Sequence, residues 1–588
     1  MARLEGSDII GETLKTANVK YVFGLVGHGN LGIIQGIDKA GIELISCHHE
    51  TVAGMAADGY FRVTHQPGVV CLTCAPGCLN AQLAIAQAGQ DHSAVVYLVG
   101  DIPAMCSGKG AYEEVDLNNP DDQFNLLRPM FKKAWKVNRL ELLSGYIANA
   151  FNVAQSGCPG PVLIDIPFDL QTEEAETQIA DVKKRCASLR FEGATSLVDQ
   201  AADLLIGSKS LVLLSGGGVN LSDASDEMIE LSQLLDAPIV TSIEGACSFS
   251  GSHPSVAGFI GSYGVEGANT LVRGADLILA VGTRFEEEET AIWLDGEVFK
   301  VPPTRLIQID IDPHVIGKNY PVELGIVGDA KITLKKINNA VAGRLAGKKL
   351  QRGRVEKCQR EKREWLEKLA PDMKSEEVPI NPRRILKALE ERFPDNGILM
   401  VDPSWARIGL LQQLFTPGNR KCHIVSGLLP IGWSTAAALG AATAKPKSKI
   451  IALTGDGGFL MGIQSIFTGV EYGFPITWIV INNNGYNALH VLQRAYFDRS
   501  VGSRFEKKKT GESFAPDYSA IAKGFGASGE KVEKPEQIEG AIERALSSGE
   551  PYILDFVSSG DKSRLERTRP VTWDHFWGKR REKKRVKS

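Results

Sequence analysis

The chain has 588 residues, of which 43% are hydrophobic and 23% charged, with a formal net charge of -4. That length holds about three to four domains with large cores, and the composition is that of an ordinary globular protein. The charge balance argues against a nucleic-acid or membrane partner, no run reaches the length of a transmembrane helix, and the start "MARLEGSDII" lacks the basic and apolar segments of a secretion signal. Ten cysteines scattered over the chain make no disulfide framework, so reducing cytoplasm is the expected compartment.

In chain order, β-branched apolar runs alternate with helical patterns: "VKYVFGLV", "GVVCLT", "AVVYLVG", "PVLIDIP", "SLVLLSGGG", "LILAVG", "TRLIQIDI", "GILMVD", "KIIALTG" and "PITWIVINN". Continuous apolar strands between helices predict an α/β protein of three doubly wound parallel-sheet domains. Polar stretches near residue 185 and over 346–380 divide the chain into 1–185, 186–345, a charged linker 346–380 and 381–588. The basic end "GKRREKKRVKS" reads as a solvated tail. Upstream of it, Trp573, Phe576 and Trp577 at helical spacing suit either a lid or a packing anchor.

"CLTCAPGC" puts Cys71, Cys74 and Cys78 at tempting metal spacing, but no second Cys or His pair follows to complete four ligands. The first and last domains echo each other. "ETVAGMAADGYFRVTHQPGVVCLTCAPG" and "WSTAAALGAATAKPKSKIIALTGDGG" both run from an Ala- and Gly-rich helix through a polar turn into a strand and a Gly loop. One fold used twice suggests a ligand held between the two copies.

Asp456 follows the strand "KIIALT" and Asn483 ends the strand "ITWIVIN", so both belong at carboxyl ends of a parallel sheet, where ligands bind. A carboxylate, an amide oxygen and a backbone carbonyl are hard donors suited to Mg²⁺, which in turn favours phosphate oxygens. Gly457 and Gly458 would let backbone N–H groups approach a diphosphate.

"GDGG" followed at this distance by "NNN" resembles the thiamine diphosphate motif, and the resemblance extends over nearly the whole chain to the acetohydroxyacid synthase and pyruvate oxidase group. It implies pyrimidine-binding, middle FAD-binding and diphosphate-binding domains, in that order. Asp456, Asn483 and the Gly485 carbonyl would hold Mg²⁺, and Ser404 the diphosphate. Ile431 would wedge the cofactor into its bent form, with the Leu429 carbonyl on the aminopyrimidine. Glu50, in "SCHHETVAGMAADGY", matches the catalytic glutamate, whose carboxylate shifts a pyrimidine proton. "TCAPGCLN" resembles the group's "TSGPG" loop and brings Cys74, Pro76 and Asn80 near the pyrimidine; Glu113 stands where relatives carry glutamine. In the middle domain Gly217, Thr241, Gly264, Arg284, Asp310 and Asp329 would contact FAD in a structural role.

His28 in "GLVGHGN" reads as a general base for water, Asn484 as a residue orienting that water, and Leu489 stands where pyruvate-type decarboxylases have glutamate. The resemblance therefore points to a ring-opening hydrolase of an alicyclic 1,2-diketone, taking cyclohexane-1,2-dione to 6-oxohexanoate, with NAD serving any onward oxidation to adipate. Its alternatives are an acetohydroxyacid synthase-like carboligase and a pyruvate oxidase-type flavin oxidoreductase. A homodimer or homotetramer is implied.

Overall fold

The computed structural model describes residues 2–117, 121–186, 190–418 and 420–560, so the Trp573, Phe576 and Trp577 cluster and the basic end lie outside the described residues. Three six-stranded sheets, every pair within them parallel, form the α/β architecture that the uninterrupted apolar strands predict.

The first sheet runs Glu43–Ser46, Tyr21–Gly24, Gly68–Leu72, Val95–Asp101, Val162–Pro167, Lys133–Lys136 across its width. The third runs Cys422–Ile424, Gly397–Val401, Lys449–Gly455, Ile476–Asn482, Tyr552–Val557, Ser528–Val532. Numbered within each domain, both have the order 2-1-3-4-6-5. The repeat seen in the sequence is thus a repeat of topology. The middle sheet differs, with the order 3-2-1-4-5-6 from Val256–Phe259 through Leu211–Ser215 to Leu324–Val327. Each order reverses direction beside the domain's first strand, and a crevice opens there at the carboxyl ends of the strands. Strand order therefore fixes where each domain can bind a ligand.

The helices Glu50–Thr64 and Trp433–Ala444 join the first and third domains. Both are rich in Ala and Gly, and they meet backbone to backbone. A Cβ on Gly440 would lie 1.8 Å from the Ala56 carbonyl oxygen, and one on Gly59 2.2 Å from that of Ala437. One apolar core runs through the contact, taking in Ala56, Ala57, Ala437, Ala441 and the buried Trp433.

The charged stretch after residue 345 carries the helix Arg354–Met373, which buries Cys358, Trp365 and Leu369. Trp365 Nε1 donates to the Gln412 carbonyl at 2.8 Å, so this segment packs the middle domain against the third rather than tethering it loosely. No helix among the described residues is long and apolar enough to cross a membrane.

The helix crossing tolerates no side chain at its centre. Gly440→Val should cost about 1–3 kcal/mol by overpacking, seen as a fall in Tm of roughly 2–10 °C by calorimetry. A Tm unchanged within 1 °C would show that the helices can separate cheaply.

Candidate functional site

In the third domain the reversal falls between Gly397–Val401 and Lys449–Gly455. Asp402 and Ser404 follow one strand, and Asp456 the other. Asp456 is buried at the start of a short helix, its Oδ2 accepting the N–H groups of Asn483 (3.1 Å) and Gly485 (2.9 Å) and its Oδ1 that of Gly457 (2.9 Å). Burial raises its pKa and these backbone donors only partly restore it. Asn483 Oδ1 is buried with no hydrogen-bond partner among the described residues. Gly485, at φ 143°, passes so close to the segment 503–505 that a Cβ would meet the Ser503 oxygen at 2.4 Å. A carboxylate bonded to a turn that carries an orphaned amide oxygen and a carbonyl fits a hard divalent cation.

Neither Gly457 nor Gly458 has room for a side chain. A Cβ on Gly457 would strike the Tyr486 ring at 2.6 Å, and one on Gly458 the Asp402 carboxylate at 2.3 Å. Ser404 caps the helix Trp405–Gln412, its Oγ accepting from Arg407 N at 3.3 Å, and its Cβ faces Gly455. Leu429 takes a left-handed backbone (φ 59°) and Ile431 is half-buried, just before the Trp433–Ala444 helix. What holds this loop was missed in the sequence. Asp402 accepts from Gly432 N at 2.8 Å and Ser434 N at 2.9 Å, stapling the loop to the strand end beneath Gly458. Its signal was an aspartate directly after the strand "GILMV".

In the first domain the reversal falls between Tyr21–Gly24 and Gly68–Leu72, and the loops after them carry His28 and Cys74 to Asn80. Glu50 begins its helix at 8% exposure, and its Oε2 accepts from Asn80 Nδ2 at 3.0 Å. Its Oε1 lies 3.3 Å from where a Gly77 Cβ would stand. Pro76 and Asn80 are exposed on the same loop. Cys71, Cys74 and Cys78 are buried and turn to three different partners, the Asn30 amide, Glu113 and the Ala75 carbonyl. His28 Nδ1 is 3.3 Å from Glu113, whereas the Asn484 amide donates to Ser513 Oγ at 3.0 Å.

The third reversal, in the middle domain, opens on a cavity of about 1030 Å³ whose wall draws on all three domains. Gly217, Arg284, Asp310 and Asp329 line it, together with Asp91 and His92 from the first domain and Ser426, Gly427 and Leu429 from the third. Thr241 and Gly264 are not on this wall; Ser242, the neighbour of Thr241, lines it, and the Gly264 N–H turns back on the Gly261 carbonyl. Asp329 is committed to capping the helix Ala330–Arg344 and pairing with Arg190. Burial pushes Asp310 up to about 6 and Glu289 to about 7.

Three family models match the chain: the thiamine pyrophosphate enzyme N-terminal TPP binding domain over residues 4–121, the central domain over 198–337 and the C-terminal TPP binding domain over 408–556. A probable acetolactate synthase large subunit of Methanocaldococcus jannaschii is 30% identical over 572 residues, covering 94% of this chain and 92% of its own. The chain belongs to the thiamine pyrophosphate enzyme family. The acetolactate synthase large subunit of Haemophilus influenzae is 28% identical, covering 93% of both chains, and the isozyme 2 large subunit of Escherichia coli is 28% identical, covering 94% and 95%. These full-length relatives are named as synthases. They overturn the expectation of diketone hydrolysis to 6-oxohexanoate, and with it the water-activating roles read for His28 and Asn484 and the onward use of NAD.

Burial raises Asp402 to about 6. A carboxyl that holds its proton more tightly folded than unfolded lends stability below its ordinary range, near 4, and loses it as pH rises through 6. The stability of the wild type relative to Asp402→Asn should therefore fall by on the order of 3 kcal/mol between pH 4 and 7, read from paired denaturation curves. A constant difference would mean that Asp402 ionises normally.

Proposed function

We propose that this protein is a thiamine diphosphate-dependent carboligase that joins two 2-oxo acids with loss of CO₂, as acetolactate synthase joins two pyruvates. The observation that carries the reading is the buried, unpartnered Asn483 oxygen on a turn that Asp456 holds, in a chain that matches an acetolactate synthase over 94% of its length.

Asp456, Asn483 and the Gly485 carbonyl would bind Mg²⁺, with Ser404 beside the diphosphate and Leu429 and Ile431 on the loop against the ring system. Thiamine diphosphate supplies, when bound, a carbon that takes up the electrons of the bond beside a carbonyl. The chain's part is to orient and to move protons. Asn80 fixes Glu50 Oε2, which leaves Oε1 to hold a proton against the pyrimidine nitrogen. The low exposure of Glu50 keeps competing water from that oxygen. FAD suits the three-domain cavity, where Arg284 offers its charge to phosphate; Arg284 also bonds His92, so that arm would serve as a structural brace.

Two chains would complete the site, the first-domain loops of one against the metal turn of its partner. What supports this is the apolar surface around both loop sets, Val26, Leu31, Leu79 and Leu83 on one and Leu428, Met461 and Leu489 on the other.

Incubated with thiamine diphosphate, Mg²⁺ and pyruvate, the protein should release acetolactate, identified by mass spectrometry; its absence would sink the carboligase reading. Glu50→Gln should lower kcat by at least about 100-fold with thiamine diphosphate affinity little changed. Asn483→Ala should instead weaken Mg²⁺-dependent cofactor binding by about tenfold or more, measured by calorimetry.

A further inference from the structure

Segment 284–289 of the middle domain forms part of the three-domain cavity wall, yet two of its carboxylates are spent on the third domain. Glu288 takes Arg407 Nη2 on both oxygens, at 3.0 and 2.9 Å, and the Arg407 side chain is only 5% exposed. Glu286 Oε2 takes the Ser426 hydroxyl at 3.1 Å, while its Oε1 binds Arg284. Removing the carboxylate from a buried guanidinium leaves an uncompensated charge, so the Glu288 contact is held in place.

Both partners belong to the elements assigned to thiamine diphosphate. Arg407 lies in the first turn of the helix Trp405–Gln412, its N–H bonded to Ser404 Oγ, and its Nη1 donates to the Val425 carbonyl at 3.2 Å. One side chain thus ties the start of the Ser404 helix to the loop that runs on through Ser426 and Leu429 to Ile431. Ser426, Gly427 and Leu429 of that loop line the cavity. Leu429 is left-handed at φ 59°, and so is Phe285, at φ 54°, in the middle-domain segment. The Phe285 carbonyl receives Trp293 Nε1 at 2.8 Å and the Asn319 amide at 3.0 Å. The segment is therefore anchored in its own domain and reaches the cofactor elements through Glu286 and Glu288.

We propose that segment 284–289 couples the two sites, so that a diphosphate-bearing adenine nucleotide in the three-domain cavity tightens the binding of thiamine diphosphate. Glu288 and Arg407 are the positioning pair, and the inference rests on the reading of that cavity as a nucleotide site. A ligand packed on Ser426, Gly427 and Leu429 from the cavity side orders a loop that thiamine diphosphate must otherwise order for itself. The second ligand to bind then meets a smaller entropic cost. Such coupling is reciprocal: the nucleotide gains from thiamine diphosphate the same factor that it confers.

The test titrates thiamine diphosphate with Mg²⁺ into the full chain by calorimetry, first freed of nucleotide and then saturated with FAD or, separately, with ADP. The ratio of the two dissociation constants should be about fivefold or more for at least one nucleotide. Either nucleotide supports the proposal; ADP sufficing assigns the effect to the diphosphate end, and a need for FAD extends it to the flavin. Glu288→Gln and Ser426→Ala should each bring the ratio below about twofold. A merely structural role would weaken both ligands and leave the ratio unchanged, because a direct loss of affinity cancels from it. A wild-type ratio under about fivefold, or one that a folded Glu288→Gln or Ser426→Ala variant retains, overturns the proposal. Nucleotide binding without coupling would leave the cavity reading intact and remove this one, whereas binding of neither nucleotide would remove both. Turnover of pyruvate does not enter the measurement, so the result stands apart from the carboligase reading.

Discussion

The backbone contact between the helices Glu50–Thr64 and Trp433–Ala444 is the constraint on which the rest of the structure depends. Only residues without bulk allow two helices so close, and the closeness lets polar groups cross between domains without water. Trp433 Nε1 reaches Asp58 at 2.7 Å, Arg62 binds Asp58 at 2.8 Å and Asp91 at 2.9 Å, and Asp91 accepts the Gly427 N–H at 2.8 Å. A chain of charges thus runs from the core of the first domain to the loop that carries Leu429. Removing one member would leave another buried and unpaired, which costs more than the pair contributes.

Buried carboxylates do most of the positioning in both crevices, and each does so by accepting backbone N–H groups. Asp402 holds the loop before Trp433, Asp456 holds the Asn483 to Gly485 turn, and Asp555 accepts from the Asn482 amide and Tyr518 N. A carboxylate can bind several donors at once, so one residue sets a whole turn. The consequence is loops of defined shape at the ends of rigid strands.

Much of this was legible in the sequence. Apolar strands between helices specify parallel sheets, and an aspartate and an asparagine ending two such strands must share an edge of the sheet. The repeated Ala- and Gly-rich helix marked the first and third domains as one topology. What escaped was long-range. That Gly457 makes room for Tyr486 depends on a turn 29 residues away, and the partners of Glu113 lie 39 and 85 residues earlier. The choice of reaction failed for another reason: it was drawn from single loop residues, His28 and Asn484, whereas the relatives that match over the length of the chain are named as synthases.

The cavity walled by all three domains bears on cohesion as well as on chemistry. Its lining takes in Phe61, Phe285 and Ile309, which belong to three separate hydrophobic clusters, so whatever binds there touches three cores at once. Binding to the assembled wall alone draws the equilibrium toward the assembled state, and the three domains then share a single melting event in place of separate ones. A molecule in that position works as a keystone, and its concentration in the cell becomes one of the terms that set how long the enzyme lasts.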